Sequence, residues 1–81
     1  MKEITRDEYN RIVEWVKGAN NYTGVAPHNV DGVAHCIRND DGRTIIVVEE
    51  CADDFSDRTI YMVNEAVYKV WRAKHGYTIT L

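Results

Sequence analysis

The residue types best able to do chemistry in this 81-residue sequence are His35 and Cys36, side by side in the stretch GVAHCIRNDDGRTIIVVEEC, residues 32–51. A cysteine nucleophile needs a base within hydrogen-bond reach and an electropositive setting that lowers its pKa. The stretch reads as a β-hairpin, and successive side chains of a strand point to opposite faces. The imidazole and the thiol therefore diverge, and apolar neighbours of Cys36 disfavour a thiolate. The pair is expected to line a sheet, as a small buried cysteine and a hydrogen-bonded histidine.

A metal centre would have to gather His28, His35, His75, Cys36 or Cys51 from separate elements. Close spacings such as C-x-x-C or H-x-x-x-H, which supply ligand geometry locally, do not occur. Nor does a glycine-rich phosphate loop, G-x-S-x-G or H-E-x-x-H. A carboxylate pair for acid–base work has no evident pKa-raising pocket at a solvated helix start. No cofactor and no metal is expected, and the chain is read as a non-enzyme.

Binding chemistry is better represented. Glu49, Glu50, Asp53, Asp54 and Asp57 fall within nine residues, with Asp40 and Asp41 at the hairpin tip. Such a run ordinarily keeps a strand end soluble and opposes a helix dipole. As a docking surface it would speed encounter with a basic partner. A second group, Tyr61, Tyr68, Trp71 and Arg72, has the residue types that dominate binding hot spots. The ordinary alternative packs those tyrosines on the first helix with their hydroxyls wet. Tyr22 is a third candidate contact, in a loop.

The elements that must position these groups follow from pattern. Thr5 and Glu8 make a T-x-x-E capping box ahead of an apolar stripe, Tyr9, Ile12, Val13 and Val16, and Gly18 offers a left-handed stop. Residues 19–32 have two glycines, a proline and no clear period, and read as a loop or a loop hiding a short extended segment. In the hairpin, Asn39-Asp40-Asp41-Gly42 suits a type I turn with glycine in a left-handed bulge position. That register sets Ile37 opposite Ile45 and His35 opposite Val47, and neither face is cleanly polar. A long helix is expected from about Ser56 to His75, capped from Asp53, Asp54 or Ser56. Residues 77–81, YTITL, read as a third strand. The expected fold is α+β, a single domain over residues 1–81, with order α-β-β-α-β and a three-stranded sheet packed against two helices. Either the helices cover opposite sheet faces or a homodimer shares one, and the homodimer is preferred.

Composition narrows the function classes. The chain is 44% apolar and 28% charged, with a net charge of −3 and no basic block. Nucleic-acid binders usually carry a basic footprint, because neutralised phosphates supply much of their affinity. No apolar run approaches the roughly 18 residues that span a bilayer. Two cysteines and no signal peptide point to a reducing, cytoplasmic setting. The capped helix starts and the absence of tails read as a complete small gene product.

The expected function is therefore a small intracellular protein-binding module, an inhibitor or adaptor of a macromolecular partner. Phage-encoded anti-host proteins, anti-CRISPR inhibitors among them, are one class of this size and character. One alternative is nucleic-acid binding through Lys69, Arg72, Lys74 and Lys17. That layout resembles double-stranded-RNA-binding domains in starting with a helix and carrying a basic late helix. It departs from them in showing a clear two-strand hairpin only, and in ending on a strand. The other alternative is a small enzyme or metal-dependent protein.

Overall fold

A computed structural model of the chain describes residues 1–27, 32–53 and 58–74. Its elements run β1 (Lys2–Ile4), α1 (Arg6–Lys17), β2 (Tyr22–Pro27), β3 (Val33–Arg38), β4 (Thr44–Asp53), β5 (Arg58–Val63) and α2 (Glu65–Lys74). The strands form one five-stranded sheet in the order β1-β5-β4-β3-β2, with every pairing antiparallel. The fold is α+β with two helices among the described residues. The expected three-stranded sheet and the order α-β-β-α-β are both wrong: the order is β-α-β-β-β-β-α. The expected strand over residues 77–81 lies outside the described residues.

The first helix forms as its sequence dictates. Thr5 Oγ1 accepts from Glu8 N at 3.1 Å, and Glu8 Oε1 accepts from Thr5 N at 3.3 Å, a reciprocal capping box. The stripe Tyr9, Ile12, Val13 and Val16 is buried, and Trp15 is buried with it. Gly18 closes the helix at φ −83°, in the right-handed and not the left-handed region. Its N–H donates to the Trp15 carbonyl at 3.1 Å, and the Ala19 N–H donates to the Val16 carbonyl at 3.0 Å.

The larger correction concerns residues 56–75. The segment Arg58–Val63 is a strand, because Thr59, Ile60, Tyr61 and Val63 are strand-favouring types whose alternation fills two faces. Asn64 then starts α2. Its Oδ1 accepts from Ala66 N at 2.9 Å and from Val67 N at 3.3 Å. Of the expected caps, Asp53 ends β4, while Asp54 and Ser56 lie outside the described residues. Two further strands went unread. β1 is three residues long, too short to show a period, and β2 occupies the expected loop with Gly24 at φ +107° beside a bulge.

The hairpin turn is as expected: Gly42 has φ +80°, and Ile37 pairs with Ile45. Beyond it a bulge intervenes. Cys36 pairs with Ile46 but His35 pairs with Val48, so His35 is not opposite Val47. Val47 is the extra residue, and both valines are fully buried in the same core. That core joins Ile12 and Val16 of α1, Val67 and Trp71 of α2, and Ile37, Val47, Val48 and Val63 of the sheet. Both helices therefore pack on one face, not on opposite faces. Full burial of each of these aliphatic side chains contributes about 1.5–3 kcal/mol.

Candidate functional site

Strand alternation and register assign side chains to two faces. The helix-covered face carries Tyr22, His35, Ile37, Val48, Tyr61 and Val63. The other carries Cys36, Ile46, Glu49, Cys51, Ile60 and Met62. His35 and Cys36 thus diverge. His35 is only 6% exposed, and its Nδ1 shares a 3.1 Å hydrogen bond with Tyr22 Oη. Burial, then Lys17, lowers the His35 pKa from its ordinary value, and Glu50 works in the opposite sense. Burial pushes the Cys36 thiol up, which leaves it a poor nucleophile.

From His35 the same face runs outward past α1. Tyr9, in the first turns of α1, sits above the boundary. Its ring centroid is 4.8 Å from that of Tyr61 and 6.4 Å from that of His35. Burial, followed by the Glu50 carboxylate, pushes the Tyr9 hydroxyl up to about 12. Beside Tyr9 the register makes a row across the sheet. Pro27 pairs with Val33, Val33 with Glu50, and Glu50 with Tyr61. Val25, paired with His35, is 57% exposed, and Val33 is 39% exposed. Pro27 is exposed, and Glu50 and Tyr61 are half-buried. The row is a shelf at one end of the helix-covered face: exposed and apolar on β2 and β3, carboxylate on β4, aromatic on β5, with Tyr9 of α1 packed against its Glu50–Tyr61 end.

The predicted site residues divide around this geometry. Glu50 and Tyr61 are cross-strand neighbours on the helix-covered face, and Tyr22 shares that face farther along the sheet, against His35. Glu49 points to the opposite face and is 7% exposed, so Glu49 and Glu50 are not one patch. Asp53 closes β4, while Asp54 and Asp57 lie outside the described residues. The Tyr61, Tyr68, Trp71 and Arg72 strip does not exist as one helix face, because Tyr61 belongs to β5. Tyr68 Oη donates to Glu8 Oε2 at 2.7 Å, with Lys2 Nζ 5.1 Å from its ring centroid. Trp71 is core, and Arg72 is exposed. Tyr9, Val25 and Val33 were missed as candidate contacts. Val25 was readable only if the loop hid a strand, and Val33 only if its hairpin face was known to outrun the helix.

Among the described residues, no group of three or more His, Cys, Asp and Glu is placed to hold a metal. His28 and His75 lie outside them. No described helix is long and apolar enough to cross a membrane. No protein-family model matches the chain, and neither the curated proteins nor the solved structures include one significantly similar to it.

Proposed function

We propose that this chain is a protein-binding module, an inhibitor or adaptor of a macromolecular partner. The observation that carries this reading is the shelf: exposed Pro27 and Val33 lie in register with a half-buried carboxylate and a tyrosine, and exposed Val25 lies in the next row of the same face. Scattered exposed apolar residues need no explanation. An apolar corner continuous with the core face, rimmed by polar groups, is the character of an interaction site. Aromatic and apolar anchors with a polar rim supply most interface energy. The divergence of His35 and Cys36, with the thiol pushed up by burial, supports binding over nucleophilic chemistry. The anti-CRISPR-like form of this reading draws on size and acidity alone.

The test is affinity capture from a host-cell lysate in nuclease-treated and untreated halves, read by mass spectrometry. One stoichiometric protein is expected in both halves, and its recovery should fall when Val25 and Val33 are replaced by Asp. Recovery that disappears with nuclease would favour nucleic acid, and an empty eluate in both halves would overturn the reading. Light scattering addresses self-association: a strict monomer at high concentration contradicts a homodimer.

A further inference from the structure

We infer that the shelf receives an arginine side chain of its protein partner, with the guanidinium against Glu50 and Tyr61 and the aliphatic stem on Val33 and Val25. The inference rests on the binding-module reading and gives that reading a partner chemistry. Glu50 is the carboxylate of the row Pro27–Val33–Glu50–Tyr61, and the row has no basic side chain. Among the described residues, no lysine or arginine forms an ion pair with it. The described ion pairs lie elsewhere, Arg11 with Asp7 and Arg58 with Glu3.

The Glu50 carboxylate is half-withdrawn from water between Val33 and Tyr61, with the Tyr9 hydroxyl beside it. A neutral hydroxyl leaves the negative charge uncompensated, and an incoming cation displaces less water there than at an exposed acid. The aromatic component is adjacent, since Tyr61 is the direct cross-strand neighbour of Glu50 and is half-buried. A planar guanidinium can accept both contacts at once, stacking on a ring and donating two parallel hydrogen bonds to a carboxylate. Its three-carbon stem needs an apolar track, and the two exposed valines provide one. A purely apolar partner would leave the Glu50 carboxylate buried without a countercharge, which disfavours that occupant.

The probe is the peptide acetyl-Leu-Arg-Leu-amide, titrated into the ¹⁵N-labelled full chain and followed by amide chemical shifts. Shifts are expected at Val25, Val33, Glu50 and Tyr61. The citrulline analogue, neutral and nearly isosteric, should bind about tenfold or more weakly, as when a charge-assisted pair becomes neutral. Glu50→Gln, with its unperturbed amide spectrum confirming the fold, should show a similar loss. Equal binding of the citrulline peptide, shifts mapping elsewhere, or no shift at millimolar peptide would each overturn the inference. So would concentration-dependent shifts at the same residues without peptide, which would mark a second copy as the occupant. The two readings fail differently. A partner captured equally by wild type and Glu50→Gln removes the arginine inference and leaves the binding module, whereas no captured partner removes both.

Discussion

At the scale of single residues, two titratable side chains tie function-independent stability to pH. Glu8 is held below the ordinary carboxyl range, first by the hydrogen bond from Tyr68 and then by its capping contacts with Thr5. A carboxyl with a lowered folded pKa contributes stability above its unfolded pKa and loses it as pH falls through the folded value. Tyr68→Phe should therefore lower the thermal midpoint near neutral pH. The difference from wild type should shrink as Glu8 protonates, which melting curves from about pH 7 to about pH 3 would reveal. His35 also has a lowered folded pKa, chiefly from burial, so its neutral form suits the fold. Near its unfolded value of about 6.5 and below, the unfolded chain binds more protons, and stability falls with pH until the folded His35 has titrated as well. His35→Asn, whose side-chain amide can meet Tyr22 Oη in place of Nδ1, should flatten that segment of a stability–pH profile. A profile as steep as wild type would mean that other groups set it. The divergence of His35 and Cys36 was legible in the sequence because alternation is a property of neighbours. The Tyr68–Glu8 contact was not, because sixty residues separate its partners and only the β1–β5 pairing brings them near.

At the scale of elements, residues 56–75 show why one helix was expected where a strand and a helix exist. The apolar residues Ile60, Met62, Val63, Val67, Val70 and Trp71 spread over about half of a helical wheel, broader than a surface helix normally buries. Two periods adjoin there: alternation through Val63, then helical spacing from Val67. Asn64 is the boundary. Its side chain caps α2, its N–H donates to Val47 O, and its carbonyl accepts from Tyr68 N. Asn64→Ala should cost about 1 kcal/mol, the usual loss for an N-cap, while Asn64→Ser should recover most of it. Urea unfolding of both variants checks this, and equal destabilisation would show that the side chain contributes nothing as a cap. The α1 boundary was legible because Thr5 and Glu8 satisfy one another locally. The bulge at Val47 was not, because no residue type announces it. It nonetheless moves Val48 onto the helix-covered face and places His35 beside Tyr22 and Tyr9.

At the scale of the whole molecule, the sheet protects its edges and leaves part of one face open. β1, on one edge, is three residues long and carries Lys2 and Glu3. β2, on the other, is bent by its bulge at Gly24 and ends in Pro27, which has no N–H to donate. Short charged strands, bulges and prolines all discourage strand addition, so recognition is directed to faces. The helix-covered face then divides in two. The part under α1, Tyr61 included, holds the stability, and the β2–β3 corner beside it holds exposed valines that contribute little. A chain of 81 residues has a margin of only a few kcal/mol, which makes the division measurable. Ile37→Ala, at a fully buried position, should cost about 2–5 kcal/mol and leave much of the chain unfolded. The double substitution Val25→Lys and Val33→Lys should stay within about 0.5 kcal/mol per site of wild type. Denaturant midpoints of the two variants decide the matter. A loss of more than about 2 kcal/mol in the lysine variant would make the shelf a structural surface and remove the argument for docking there. Near-wild-type stability would mean that two exposed valines are held beside a half-buried carboxylate without stabilising the fold, as expected of residues kept for a partner.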